Sequence, residues 1–248
     1  MGKVLIECVP NFSEGRDKKV IKEMTDAIES VEGIRLLDVD PGQATNRTVV
    51  TFVGEPDAVM EAAFRGVKRA AELIDMSKHH GAHPRMGATD VLPLIPVEGI
   101  TLEECAALAR KLGQRIGEEL AIPVYNYEAA ASTPARKNLA VVRRGEYEAL
   151  PERLGSSDEG PDFGPKEFND NVARTGATAV GARDFLIAVN FNLNTTSTRR
   201  ANAIAFDVRE KGRPKREGGK PNGRPMKDAD GNSSATGWQA STFWQDIG

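Results

Sequence analysis

The three histidines of this 248-residue chain lie within five positions of one another, as His79, His80 and His83. Imidazole is the side chain whose ordinary pKa lies nearest neutral pH, so such a cluster is typical of proton transfer or metal binding. Lys78 and Arg85 flank the histidines and would attract an anionic substrate. A polar turn without chemistry has a similar composition, so the segment alone leaves all three interpretations open.

Proton transfer requires less of this segment than metal binding does. Zinc sites need three or four ligands at defined spacing, and Gly81 and Pro84 interrupt any helix on which such ligands would be arrayed. One imidazole can serve as general base and general acid in turn. A carboxylate, from Asp40 or Asp90, would hold its tautomer. We therefore expect an acid–base site without a metal, and keep a metal-dependent hydrolase as an alternative.

Composition excludes several other classes of function. The sequence contains no G-x-S-x-G elbow, P-loop or G-x-G-x-x-G motif. A net charge of −3 gives no general attraction to nucleic acid or membranes, and 40% hydrophobic residues suffice for a core. The apolar runs are too short to cross a bilayer, and the two cysteines form no CxxC motif. We expect a cytoplasmic protein that binds neither nucleic acid nor membrane.

The elements that position the histidines follow from hydrophobic periodicity. Strands are predicted over residues 3–9, 34–39, 48–53, 91–97 and 123–127. Helices are predicted over residues 17–31, 56–74 and 101–120, the last beginning with a capping box of Thr101 and Glu104. The order β-α-β-β-α-β, followed by another α and β, predicts a ferredoxin-like sheet with its helices on one face.

The pattern weakens beyond residue 127. A short helix is predicted over residues 145–154, and residues 155–173 form a Gly-, Pro- and Asp-rich loop that is typical of a linker or a binding loop. A strand over 185–193 and a helix over 199–210 begin a second α/β subdomain that is left incomplete.

These elements predict an α+β protein with a subdomain boundary near residues 175–185. Residues 1–178 would form an N-terminal subdomain, and a second subdomain would begin at residue 179.

Five segments together resemble glutamate formimidoyltransferase, also called glutamate formiminotransferase. They are Glu7–Gly15, Leu37–Asp40 with Thr45–Thr48, His79–Ala88, Gly145–Pro151 and Pro161–Pro165. The resemblance continues in register from about residue 3 to residue 212. It implies transfer of a formimino group between N-formimino-L-glutamate and tetrahydrofolate, in histidine degradation and one-carbon metabolism. It also implies a homodimer, no metal, and folate held as co-substrate in a positively lined cleft between two subdomains.

The resemblance also assigns site residues. The catalytic histidine of the family matches His83. The folate-contacting loop matches Gly164, Pro165, Lys166, Glu167, Phe168, Asn169, Asp170, Asn171, Val172 and Ala173. Supporting roles fall to Asp40, Asn46, Arg47, His79, His80 and Arg85.

The sequence departs from the family at its C-terminal end. Members of the family continue beyond the equivalent of Gly231, whereas residues 232–248 resemble nothing in them. The resemblance therefore implies that residues 179–231 are part of a second subdomain and that residues 232–248 are a tail of uncertain origin, as in a truncated or frameshifted chain. The departure makes a folate-binding remnant without turnover the alternative to an active transferase.

Overall fold

The computed structural model describes residues 3–186, 193–208, 214–217 and 220–225. The chain divides into two compact units between Leu186 and Ile187. The first unit contains the histidine cluster and is a mixed sheet with helices, which confirms the predicted α+β class.

The strands of the first unit form one seven-stranded sheet. They are β1 (Leu5–Cys8), β2 (Asn11–Phe12), β3 (Arg35–Gly42), β4 (Arg47–Gly54), β5 (Thr89–Glu98), β6 (Val124–Glu128) and β7 (Thr178–Ala182). β1 and β2 are two halves of one broken strand, because both lie antiparallel between β4 and β5. Pro10, which has no N–H to donate, lies at the break. β3 pairs with the outer side of β4, while β7 and then β6 extend the sheet in parallel beyond β5.

Three long helices carry most of the remaining core of this unit: α1 (Lys18–Glu29), α2 (Pro56–Leu73) and α3 (Leu102–Glu119). Asp17 caps α1 by accepting hydrogen bonds from two backbone N–H groups of its first turn. The predicted capping box of Thr101 and Glu104 begins α3. Shorter elements follow: α4 (Leu139–Val142), α5 (Leu150–Arg153) and α6 (Asp170–Thr175), with 3₁₀ turns at Met76–Lys78, Pro134–Lys137 and Tyr147–Ala149.

The two faces of the sheet pack against different layers. Alternate residues of a strand point to opposite faces, and the cores follow this rule on β5, β6 and β7. Leu92, Val124 and Val180 join the core made with the three long helices. Val91 and Tyr125, on the other face, pack with residues of α4, α5 and α6. The prediction of helices on one face therefore describes the long helices, and the short ones lie against the opposite face.

The sequence pattern located five strands and three long helices close to their observed bounds. It missed β2, which follows the proline break, and β7, which completes the sheet between β5 and β6. It also treated as loop the residues that form α6. The helix predicted over residues 145–154 is a 3₁₀ turn followed directly by α5.

The second unit contains α7 (Thr198–Val208) and an antiparallel pair, β8 (Pro214–Glu217) and β9 (Lys220–Pro225). The predicted helix over residues 199–210 corresponds to α7. The predicted strand over 185–193 falls largely on residues 187–192, which lie outside the described part, as do residues 232–248. Within the described residues, none of the helices has the length and apolar character needed to span a bilayer.

Gly87 joins the end of the histidine segment to the start of β7. It forms an isolated β-bridge with Gly176, and a Cβ on Gly87 would lie 2.4 Å from the carbonyl oxygen of Ala177. We expect Gly87→Ala to lower the free energy of unfolding by about 1–3 kcal/mol, because the clash is with backbone. Urea unfolding measures the change.

Gly155→Ala is the matched control, since the nearest atom to its Cβ would be 4.0 Å away. That variant should change the free energy of unfolding by less than about 1 kcal/mol. Equal destabilisation of the two variants would contradict the bridge as a structural constraint.

Candidate active site

Three loops that are distant in sequence meet at Asn46. Its side chain accepts a hydrogen bond from the backbone N–H of Gly15 (3.1 Å) and donates one to the carbonyl of His80 (3.0 Å). Its own carbonyl accepts from Nε2 of His79 (2.9 Å). Asn46 holds a left-handed backbone conformation (φ 47°), which asparagine tolerates better than most residues. This one residue therefore joins the loop after β2, the β3–β4 turn and the histidine loop.

Glycine allows the histidine loop to approach the β3–β4 turn. A Cβ on Gly81 would lie 2.2 Å from the carbonyl oxygen of Thr45. The next residue, Ala82, donates its backbone N–H to the carbonyl of Ala44 (3.3 Å). The chain therefore passes the turn at backbone contact distance and brings His83 beside the first residue of β4.

The hydrogen bonds of His83 determine its tautomer. Nδ1 lies 2.7 Å from the carbonyl oxygen of Pro84, which can only accept, so Nδ1 carries the proton. Nε2 lies 2.9 Å from Nη1 of Arg47, which can only donate, so Nε2 presents its lone pair to the guanidinium. The sequence had predicted Asp40 or Asp90 for holding the tautomer. That role belongs instead to the backbone carbonyl of the following proline.

His83 is neutral in this environment. Partial burial of the ring lowers its pKa to about 4, and the positive charges of Arg47 and Arg143 contribute to the lowering. The hydrogen bond to Pro84 opposes the shift without offsetting it. A neutral imidazole can accept a proton at Nε2 once the arginine no longer occupies that lone pair.

A buried ion pair lies beside this group. The carboxylate of Asp90, on β5, is fully buried and pairs with Arg143, which follows α4. It also accepts a hydrogen bond from the backbone N–H of Met86 (3.0 Å), at the end of the histidine loop. Asp90 and Arg143 thus attach that end to the segment on the far face of the sheet. Burial raises the pKa of Asp90, while Arg143 opposes that shift.

The other two histidines have structural contacts. His79 is buried, and its Nε2 donates to the carbonyl of Asn46. Its burial lowers its pKa, which favours the neutral ring. The side chain of His80 is exposed, and only its backbone carbonyl contributes to the loop junction. Both residues therefore contribute contacts to the junction at Asn46.

Arg85 is bound by carboxylates of the protein itself. Its guanidinium contacts both oxygens of Glu148 (2.7 and 2.8 Å) and one oxygen of Glu146 (3.0 Å). The side chain is nearly buried, and these carboxylates raise its pKa. The sequence places Arg85 among the cations that would attract an anionic substrate. In the structure it clamps the histidine loop to residues 146–148.

Asp40 lies on β3, the edge strand, opposite Val49 of β4. Its side chain is exposed, and its charge favours the protonated form of Arg47, whose pKa is lowered chiefly by burial. The structure therefore brings Asn46, Arg47, His79 and His83 into one hydrogen-bonded group and leaves Asp40 near its rim.

The predicted folate segment, Gly164–Ala173, is attached to the histidine loop from the other side. The carbonyl of Ala173 accepts a hydrogen bond from the hydroxyl of Tyr147 (2.6 Å). The backbone N–H of Tyr147 donates to the backbone carbonyl of Arg85 (3.0 Å). The ring of Phe168, 37% exposed, meets that of Tyr147 edge to face, with centroids 6.1 Å apart. Asn169 caps α6 by accepting from the N–H of Val172.

An open cleft of about 460 Å³ separates α6 from the 3₁₀ turn at Met76–Lys78. Asp75, Ser77 and Lys78 line one side, and Asp170, Ala173 and Arg174 line the other. The cleft therefore lies between the start of the histidine loop and the end of the predicted folate segment.

The described residues were also compared with the ligand sets that hold metal ions. No group of three or more His, Cys, Asp or Glu side chains there is arranged to hold an ion. Both cysteines, Cys8 and Cys105, are buried free thiols.

Comparison with known proteins identifies the family of this fold and site. The family described as "Formiminotransferase domain, N-terminal subdomain" matches residues 5–183. The chain belongs to the formiminotransferase family. This result confirms the resemblance found from the sequence motifs.

Relatives within the formiminotransferase family differ in length. A formimidoyltransferase-cyclodeaminase of Mus musculus is 54% identical over 216 residues, which are 87% of this chain and 39% of that protein. Glutamate formimidoyltransferases of Thermoplasma acidophilum and Streptococcus pyogenes serotype M1 are 48% and 45% identical. Those alignments cover 84% of this chain and 68% and 69% of the two proteins. The chain thus spans about two fifths of the first relative.

Several residues that the structure brings to this candidate site were not singled out from the sequence. Asn11 accepts from Nη1 of Arg47 (2.8 Å), Arg143 contributes charge beside His83, and Tyr147 links the two loops. The Asn11 and Tyr147 residues lie in motifs that carried the resemblance. Arg143 lies in a stretch with little pattern, so only its position in space reveals it.

Substituting Arg85 tests its structural role. Arg85→Lys keeps the charge and loses the fork that binds two carboxylates, so we expect the free energy of unfolding to fall by about 1–3 kcal/mol. Arg65→Lys is the control, since Arg65 makes an exposed pair with Glu61 within α2. That control should change the same quantity by at most about 0.5 kcal/mol. Equal effects, measured in urea, would contradict the clamp.

The pKa of His83 can be measured by NMR, since the chain has three histidines to assign. We expect a value near 4 in the native protein, against the ordinary 6.5. Because the folded state binds this proton less readily than the unfolded state, the group destabilises the fold as pH falls from 6.5 toward 4. Arg47→Gln should raise the pKa only part of the way, since burial remains the larger cause. A native value of 6.5 or above would contradict the assigned environment.

Proposed function

We propose that this protein transfers a formimino group between N-formimino-L-glutamate and tetrahydrofolate, with His83 as the acid–base group. The observation that carries the proposal is the half-buried, neutral His83 with its Nε2 lone pair directed at Arg47. Membership of the formiminotransferase family and relatives named glutamate formimidoyltransferase support the reaction class.

The reaction needs one group that first accepts and then donates a proton. Tetrahydrofolate N5 would attack the amidine carbon and form a new C–N bond, while Nε2 of His83 takes the N5 proton. The same proton would then pass to the glutamate nitrogen as its bond to that carbon breaks. Nδ1 stays bonded to the carbonyl of Pro84 throughout, which keeps Nε2 as the reacting atom. These reaction steps do not require a metal ion.

The remaining features of the site support a position for folate. The segment Gly164–Ala173 adjoins the histidine loop through Tyr147, and its residues Asp170 and Ala173 line the cleft opposite Lys78. Phe168 offers an exposed aromatic ring to a pterin or benzoyl group. We assign His79, His80 and Asn46 to positioning, since their bonds hold the loop that carries His83.

The ferredoxin-like topology, the cellular compartment, the homodimer and the second subdomain belong to the same proposal. The strand order β3-β4-β1-β5, with antiparallel neighbours, supports a ferredoxin-like unit. Two free thiols support a reducing compartment such as the cytoplasm. The homodimer and the second subdomain are carried over from the family resemblance.

His83→Gln tests the proposal. Turnover of tetrahydrofolate and N-formimino-L-glutamate, followed as glutamate release, should fall by about 10²–10⁴-fold because the proton carrier is lost. Folding, followed by urea unfolding, should change little. Lys111→Gln, an exposed substitution on α3, is the control and should leave the rate unaltered.

An unaltered rate in His83→Gln would contradict the acid–base assignment. Calorimetric binding of tetrahydrofolate to a native protein that shows no turnover would contradict the transferase and support the folate-binding remnant.

A further inference from the structure

Arg47 differs from Arg85, Arg136 and Arg143 of the first unit in the chemistry of its partners. Arg85 pairs with Glu146 and Glu148, Arg136 with Asp162, and Arg143 with Asp90. Within the described residues, no carboxylate forms an ion pair with Arg47. Its Nη1 donates to two neutral acceptors, Oδ1 of Asn11 (2.8 Å) and Nε2 of His83 (2.9 Å).

A neutral acceptor is a weak partner for a guanidinium that has lost part of its hydration. Burial lowers the pKa of Arg47, which reflects this loss. A carboxylate carries a full negative charge that the imidazole and the amide lack, and the planar fork of the guanidinium can bind both carboxylate oxygens at once. A carboxylate ligand is therefore a better acceptor for Arg47 than the imidazole is.

The same bond to Arg47 prevents His83 from accepting a proton. Nδ1 is committed to the carbonyl of Pro84, so Nε2 is the atom available for chemistry, and its lone pair is occupied by an N–H of Arg47. Before Nε2 can take a proton, this hydrogen bond must break.

We infer that Arg47 binds a carboxylate of the amino-acid substrate and, in turning to it, releases Nε2 of His83 for proton transfer. This inference rests on the proposed function, since it names the substrate group that activates the proposed base. Substrate recognition and activation of the histidine then depend on one guanidinium. With a formimino compound that lacks the carboxylate, Nε2 of His83 stays hydrogen-bonded to Arg47.

The charges around the pair fit this arrangement. Arg47 comes from β4 and Arg143 follows α4, and both act on His83 as positive charges. Asp90 on β5 and Asp40 on β3 act on Arg47 as negative charges, but Asp90 is already bound to Arg143 and Asp40 is exposed. An arriving carboxylate therefore meets a positive centre that the protein's own acids have not neutralised.

Glutarate, a dicarboxylate without the reacting amidine, is the probe, and the pKa of His83 measured by NMR is the readout. Saturating glutarate should raise that pKa in the native protein by about one unit or more, because the neighbouring positive charge gains an anion and leaves Nε2. Glutaramide, its uncharged counterpart, should leave the pKa unchanged. This comparison uses the native chain alone.

The Arg47→Gln variant supplies the second arm. It should lose glutarate affinity by about ten- to a hundredfold and abolish the glutarate-dependent shift in the His83 pKa. Arg110→Gln, an exposed substitution on α3, is the control and should retain both. In turnover, Arg47→Gln should raise KM for N-formimino-L-glutamate and lose any preference for substrates that carry the carboxylate.

Each outcome decides a separate point. Glutarate binding in the native protein with no shift in the His83 pKa would overturn the release of Nε2. Equal shifts with glutarate and glutaramide, or an Arg47→Gln variant that binds glutarate as the native protein does, would overturn the carboxylate site. A native protein that shows the shift but no turnover would contradict the proposed function and leave the anion site standing.

Discussion

The junction made by Asn46 is the constraint on which the candidate site depends. Its side chain and carbonyl hold the loop after β2, the β3–β4 turn and the histidine loop with three hydrogen bonds. The partner groups belong to segments that are distant in sequence, so no single helix or strand contains them. A left-handed residue with a two-ended amide meets this need, since it donates and accepts from one position. His83 and Arg47 face each other as a result.

The two faces of the sheet pack against different layers, and this arrangement determines where the candidate site lies. The long helices bury one face and form most of the hydrophobic core. On the other face, α4, α5 and α6 cover the end formed by β5, β6 and β7. Arg47 begins β4 beyond that covered end, next to Asn11 of the broken first strand. The hydrogen-bonded group of Asn11, Arg47 and His83 thus lies at the edge of the hydrophobic core. The guanidinium of Arg47 is partly dehydrated there.

Regular patterns made much of the fold predictable. β4 alternates buried and half-buried residues, and α2 repeats apolar residues at helical spacing, so both were located from sequence. β7 was missed because its five residues are all buried, which removes the alternation that marks a strand. α6 was missed because six residues of capped helix in a polar loop are too few to show a periodicity.

Three members of the hydrogen-bonded group were named from the sequence, but the bonds between them were not predicted. Asn46, Arg47 and His83 were all named from their motifs, yet the Arg47–His83 bond joins residues 36 positions apart. Arg85 and Arg47 looked alike in sequence because the carboxylates that bind Arg85 lie 61 and 63 positions away. Residues distant in sequence decide whether an arginine is paired with a carboxylate of the protein. A local sequence pattern does not contain that information.

The bridge between Gly87 and Gly176 has a consequence for how two ligands would influence each other. Backbone hydrogen bonds from Ala88 to Thr175 and from Ala177 to Met86 join the exit of the histidine loop to the exit of α6. These bonds tie the two segments together, so ordering one would favour ordering of the other. Coupling free energy is reciprocal, so a ligand that stiffens one loop would tighten the binding of a second ligand on the other by the same factor. Cooperativity between two such ligands would then depend on a bridge between two glycines.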